Sequence, residues 1–257
     1  MLRGKTFNQI RKCRYGLMIY NHHDVVIGKS LEIYGEYCQG EVDLFRQVIK
    51  KGDLVLDIGA NIGAHTLFFA KKVGLKGEVH AFEPQRIIFQ TLCGNMALNS
   101  MVKTHCYNMA LGNTNGFLRI PQITPWMNFN FGGVSVEGHV QGDPIPLATI
   151  DSFEFTRCHF IKIDVEGMEK KVLMGARETI RQHRPFLYVE NDREEKSEAL
   201  ITYLKSLDYN LFWHLTSYFN PNNFDKNSEN IFSHIVAKNM FCVPRESELK
   251  IEGLKAI

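Results

Sequence analysis

The chain has 257 residues, 44% of them hydrophobic and 23% charged, with a formal net charge of +2. That length and apolar fraction suit one α/β domain spanning 1–257, large enough to bury a core of its own. A charge so close to zero provides no electrostatic footprint for nucleic acid or an anionic membrane, so neither is expected as a partner, and a small-molecule or glycan ligand is.

Cys13, Cys38, Cys93, Cys106, Cys158 and Cys242 are scattered without a Cys-x-x-Cys pair. This argues against a zinc or disulfide framework and for a reduced, cytoplasmic setting. Arg3, Lys5, Arg11, Lys12 and Arg14 crowd the N-terminus, but no apolar stretch of signal or membrane-spanning length follows them. They read as a solvated leader without membrane insertion.

Residues 1–50 are expected to form an extension to the core. Tyr15 to Ile33 alternates like a short hairpin, with Asn21-His22-His23-Asp24 as its turn. Val42, Phe45, Val48 and Ile49 then have helical spacing over Glu41–Ile49, ended by Gly52. The core, 51–240, opens with the stretch around which the rest is arranged. Leu54 to Ile58 is an apolar run broken only by Asp57; Gly59, Asn61 and Gly63 follow at two-residue spacing, and a helix begins at Ala64. Strand, tight turn and helix in that order begin a nucleotide-binding βαβ unit. The turn lacks the Gly-x-Gly-x-x-Gly pattern of a dinucleotide site. Asp57 would also repel a pyrophosphate, whereas it suits a cationic ligand such as S-adenosylmethionine, which carries a sulfonium and an ammonium. Glu83 ends the next strand, with two oxygens able to accept both ribose hydroxyls.

After Pro84 a helix is expected through Phe89, Leu92 and Met96 to Asn99, then a strand at Val102–Met109. This alternation predicts parallel strands joined by right-handed crossovers. From 113 to 150 the rhythm changes to a β-rich insertion, with hairpin-like runs at Phe117–Ile120 and Val134–Val140. Its Trp126, Phe129 and Phe131 are open to two readings, an acceptor wall or a satellite core. The pattern resumes with a strand at Phe160–Asp164, a helix at Met168–Gln182, a strand at Pro185–Glu190 followed by Asn191 and Asp192, a helix at Glu194–Leu207 and a strand at Asn210–Leu215. A last strand over Ile231–Ala237 is expected to return antiparallel at an edge, and 241–257 to be a loose tail.

Asp57-Ile-Gly-Ala-Asn-Ile-Gly63, Phe82-Glu-Pro84, Thr149-Ile-Asp151, Ile161-Lys-Ile-Asp-Val-Glu-Gly167 with Glu169, Gly175-Ala176 and Glu190 resemble, in order and spacing, the signature set of the FkbM family of S-adenosylmethionine-dependent methyltransferases. The resemblance runs from about Tyr34 to Leu215. It implies a class I, Rossmann-like, seven-stranded and mostly parallel sheet with helices on both faces. It also implies methyl transfer to oxygen, usually a hydroxyl of a sugar or a polyketide-like natural product.

Ligands of such sheets sit at the carboxyl ends of the strands. The expected cofactor-binding residues are Glu36, Asp57, Gly59, Ala60, Asn61, Gly63, Glu83, Pro84, Asn108, Ala110 and Asp164. An alcohol is a poor nucleophile at neutral pH, so a base or a metal is needed, and Asp164, Glu190, His139 and His214 are the candidates. Asp164, Glu190 and Asn191 form one possible magnesium set, a layout similar to that of catechol-type O-methyltransferases. The competing account is free of metal, with Asp164 on the cofactor ammonium and Glu190 on the acceptor. An NAD(P)-dependent oxidoreductase shares the βαβ start, although no Tyr-x-x-x-Lys pair is present, and a non-catalytic nucleotide-binding module is a third reading.

Overall fold

In a computed structural model that describes residues 6–135, 137–249, 251 and 254–257, the N-terminal hairpin pairs β1 (Asn8–Cys13) with β2 (Gly16–Asn21). Its turn is at Arg14 and Tyr15 rather than at Asn21–Asp24. Asn21–Asp24 lead into a helix instead: the Asp24 carboxylate accepts the Val26 amide at 2.9 Å in the turn that precedes α1 (Ile27–Tyr34). Arg3 and Lys5 lie outside the described residues. Arg11 and Arg14 are not solvated leader charges, because Arg11 pairs with Asp225 and Arg14 with Glu36.

The core elements then run α2 (Gln39–Val48), β3 (Leu54–Ile58), α3 (Ala64–Val73), β4 (Glu78–Phe82), α4 (Arg86–Leu98) and β5 (Thr104–Tyr107). Just before the insertion, β6 (Ala110–Leu111) joins the insertion's β7 (Gly116–Ile120) and β8 (Asp143–Ala148) in a small sheet ordered β6-β8-β7. The partner of β7 is therefore 143–148, not the expected 134–140, whose Val136 lies outside the described residues. Pro144 and Pro146 lack an N–H, but they precede Leu147 and Ala148, where pairing with β6 begins. A 3₁₀ turn (Ile150–Phe153) leads to β9 (Phe160–Ile163), α5 (Glu169–Met174), α6 (Arg177–His183), β10 (Phe186–Glu190), α7 (Glu194–Ser206), β11 (Tyr209–Ser217), β12 (Val236–Pro244) and β13 (Lys255–Ala256). The single helix expected over Met168–Gln182 is broken at Gly175. A Cβ there would stand 1.9 Å from the Gly112 carbonyl oxygen, so the backbone leading into the insertion packs directly against the break.

The main sheet has the order β13-β11-β12-β10-β9-β3-β4-β5. Strands β5, β4, β3, β9 and β10 are mutually parallel, and β12 is antiparallel to both β10 and β11. These with β11 are the seven strands expected, and the two-residue β13 extends the β11 edge. The last long strand starts later than expected and is inserted between β10 and β11 instead of lying at an edge. With β13, it also draws 241–244 and 255–256, expected in a loose tail, into the sheet. Leu56, Ile58, Ile161 and Ile163 face α5, α6 and α7 on one side, while Val55, Phe160 and Tyr188 face α2 and α3 on the other. Burial on both faces explains why these strands read as continuous apolar runs. Among the described residues, no helix is long and apolar enough to cross a membrane.

Candidate active site

The carboxyl ends of β3, β4, β9 and β10 open onto two adjoining hollows. One is lined by Ile58, Pro84, Met109, Ala110, Leu111 and Met168, and the other by Tyr37, Glu41, His65, Lys162, Glu190 and Asn239. Gly59, Glu83, Gly132, Asp164 and Glu166 lie on both. Gly59 has φ 77°, and a Cβ on it would fall 1.7 Å from the Asp164 carbonyl oxygen, so only glycine lets the β3 turn lie against β9. Asn61 takes a left-handed φ of 51°, aiming its amide at Glu83. Glu83 accepts that N–H at 3.0 Å and the Gln85 N–H at 2.8 Å, which fixes the carboxylate while leaving lone pairs free.

The second hollow is strongly acidic. Glu41, Glu83, Asp164, Glu166 and Glu190 line the two hollows, and Lys162 is the cation among them, 3.1 Å from Asp164. Burial pulls the Lys162 ammonium down, but Asp164, Asp57 and Glu41 outweigh it and hold its pKa above the usual value. Burial pushes Glu41 up to about 8 against the pull of Lys162, and Glu83 up to about 7 against its two backbone donors. Burial and neighbouring Asp164 raise Glu166 to about 7. Glu190 is raised well above the carboxylate range by burial and then by Asp164 and Glu166, and its Oε2 has no hydrogen-bond partner. Such a site takes up protons or cations readily. His65 stays neutral, pushed down to about 3 by burial and Lys162, and its Nε2 stands 3.6 Å from Glu41.

Of the residues expected at the cofactor, Gly59, Ala60, Asn61, Glu83, Pro84, Ala110 and Asp164 line the hollows. Asp57 does not. It is fully buried beneath the turn, with Thr66 donating to one oxygen at 2.6 Å and Lys162 lying 3.7 Å from the other. Gly63 packs under α4, where a Cβ would meet Leu92 at 2.7 Å. Asn108 stands behind the wall, donating from Nδ2 to the Glu83 and Pro84 carbonyls. Glu36 lines neither hollow: it pairs with Arg14 and accepts from Asn220 and the Phe224 amide, tying the extension to the loop after β11.

Two of the proposed bases are also elsewhere. His214 hydrogen-bonds Tyr188 through Nδ1 at 2.9 Å, and exposed His139 contacts the Ser135 carbonyl. Asn191 points back into the sheet, donating to Met240 Sδ at 3.3 Å, so it cannot join Asp164 and Glu190. Glu166, which also pairs with Arg193, takes its place, and one oxygen from each of Asp164, Glu166 and Glu190 lies within 4.8 Å of the others. The insertion reaches the site through Asn130, Gly132, Gly133 and Val134. Phe131 is buried, as the satellite-core reading expects, whereas Trp126 is half exposed and packs edge-on against Phe7, 5.0 Å between centroids. Sequence reasoning assigned no role to Lys162, although a charge inside a buried strand was a usable signal. Nothing local marked Glu41, His65 or Asn239.

The model of the methyltransferase FkbM domain matches residues 57–211 of this chain. A hexuronic acid methyltransferase, AglP, of Haloferax volcanii is 28% identical over 147 residues, 53% of this chain and 56% of that protein, so the chain spans about half the length of the curated relative it matches. A methyltransferase FkbM from Methylobacillus flagellatus superposes with a TM-score of 0.51 at 21% identity, covering 74% of this chain and 43% of that one. An S-adenosylmethionine-dependent O-methyltransferase from Thermotoga maritima superposes at 0.47 with 12% identity, covering 96% and 81% of the two chains. With the matched domain holding both the glycine turn and the acid-tipped strands β9 and β10, the chain belongs to the methyltransferase FkbM family.

Proposed function

We propose that the chain is an S-adenosylmethionine-dependent O-methyltransferase acting on a hydroxyl of a sugar, glycan or related natural product. The observation that carries this reading is the buried, unpartnered Glu190 oxygen in an acid-rich hollow beside Asp164. The donor set fits the cofactor: Gly59, Ala60 and Asn61 would face its methionine portion, Glu83 its ribose, and Met109 to Leu111 its adenine, while the carboxylates complement its two positive charges. When bound, the cofactor supplies a methyl group already activated by the sulfonium. The protein aligns the acceptor oxygen and removes its proton, and Glu190, made more basic by burial and by neighbouring Asp164, takes that proton.

Tyr37, Tyr218, Asn130 and Asn239 offer hydrogen bonds suited to a hydroxyl-rich ligand. The hexuronic acid named for the haloarchaeal relative supports a sugar acceptor. Five carboxyl groups facing one lysine argue against a uronate here and for a neutral or amino sugar. Incubation with a panel of neutral, amino and acidic glycosides, followed by mass spectrometry of the products, tests this; methylation on nitrogen or carbon, or of uronates alone, overturns it. Glu190→Gln should lower kcat by about 10²- to 10⁴-fold with unchanged cofactor affinity.

A second reading follows from the Asp164, Glu166 and Glu190 oxygens, a hard-donor set that magnesium could join to lower the pKa of an acceptor hydroxyl. Turnover undiminished in excess EDTA would leave Glu190 as a metal-free base.

A further inference from the structure

A second cluster of ligating side chains lies away from the cavity, toward the starts of β4 and β5. His80 and His105 are register partners on these neighbouring parallel strands, and Glu78 lies two residues before His80 on the same face of β4. The imidazole rings stack with centroids 4.7 Å apart. One ligand atom from each of the three residues lies within 4.8 Å of the others. We propose that Glu78, His80 and His105 form a site for a borderline divalent metal of the zinc class.

His80 is the fixed member. Its ring is buried, held edge-on by Phe155 at 4.8 Å, and its Nδ1 lies 3.0 Å from the Tyr107 hydroxyl. With the proton on Nδ1, the ring donates to Tyr107 and presents the Nε2 lone pair, an outer hydrogen bond of the kind that orients metal-bound histidines. Nε2 stands 3.8 Å from Glu78 Oε2, too far for a hydrogen bond. Two ligands of a tetrahedral ion, each at about 2.0 to 2.2 Å, stand roughly 3.3 Å apart, so about half an ångström of side-chain movement would bring this pair to ligating separation. Exposed His105 and half-buried Glu78 are free to adjust, while Arg157, 3.7 Å from Glu78 Oε1, holds the carboxylate oxygen that the ion does not need.

Two imidazoles and one carboxylate select zinc, nickel or copper over magnesium, and three protein ligands leave a position for water. Bound metal would clamp β4 to β5 at the end of the strand pair opposite Glu83 and Ala110. This site is independent of the methyltransferase reading.

Calorimetric titration of tag-free protein with zinc chloride should show one site, and zinc at one-hundredfold over Kd should raise Tm by about 5 °C, where magnesium at that concentration does not. His105→Ala, at an exposed position, should weaken zinc binding at least about tenfold, and Glu78→Gln should do the same with unchanged circular dichroism. Asp164→Asn should leave the zinc isotherm unaltered. Absence of stoichiometric binding, retention of full affinity in His105→Ala, or loss of it in Asp164→Asn would each overturn the site.

Discussion

The two halves of the cavity solve opposite electrostatic problems. On the β3–β4 side, the charge of Glu83 is met by backbone amides of Asn61 and Gln85 that the turn itself places. On the β9–β10 side, Asp164, Glu166, Glu190 and Glu41 share a hollow with the single lysine Lys162, and a buried Glu190 oxygen is left without a donor. The first half is organised before any ligand arrives. The second holds more carboxyl groups than its one lysine can pair. Under the proposed function, the first arrangement would serve recognition of the constant cofactor and the second proton removal from the acceptor.

Removing the cation should expose that difference most strongly. Lys162→Met leaves Asp57 buried with one unpaired oxygen and takes the counterion from Asp164, so stability should fall by about 3 to 5 kcal/mol in urea titrations. Adding Asp57→Asn should recover part of the loss; a double variant no better than the single would show that Asp57 is not the strained partner. The equivalent cut on the organised side is Glu83→Ala. It removes two charge-assisted acceptors of about 1.5 to 3 kcal/mol each at most, so S-adenosylmethionine should bind about tenfold to several hundredfold more weakly. Unchanged affinity by calorimetry would sink the ribose assignment.

The smallest effect is a pH dependence. Glu41 has its pKa raised from 4.5 to about 8 in the folded chain, so its contribution to stability is fully present below pH 4.5 and is lost as pH rises through 8. Glu41→Gln keeps an oxygen for the Asn239 amide at 2.9 Å and offers an N–H toward the unpartnered Nε2 of His65. The variant should therefore gain on the order of 1 to 3 kcal/mol over the parent at pH 8 but little at pH 4.5. Equal differences at the two pH values would show that Glu41 does not carry this linkage.

The glycine turn, Glu83 and the acids tipping β9 and β10 were legible because each depends on residues next to it in the chain. A buried strand needs an unbroken apolar run, a left-handed turn needs Gly or Asn, and an acid at the strand end follows from the strand. Asp57 shows the limit of such reasoning. The same residue type in the same motif points at a ligand or at Lys162, depending on which strand lies beside β3, and β9 supplies its lysine from 105 residues away.

From sequence alone came the alternating α/β architecture, the family signature and the half of the site made by contiguous residues. Tertiary structure decided the rest. It placed β12 between β10 and β11, a choice set by competition among strands rather than by local pattern. It brought Glu41 of α2 to Asn239 of β12, 198 residues on, and turned Asn191 away from the acids beside which it stands in sequence. Side chains alternate across a strand and contacts close over long loops, so which polar groups share one cavity depends on packing that no short stretch of chain encodes.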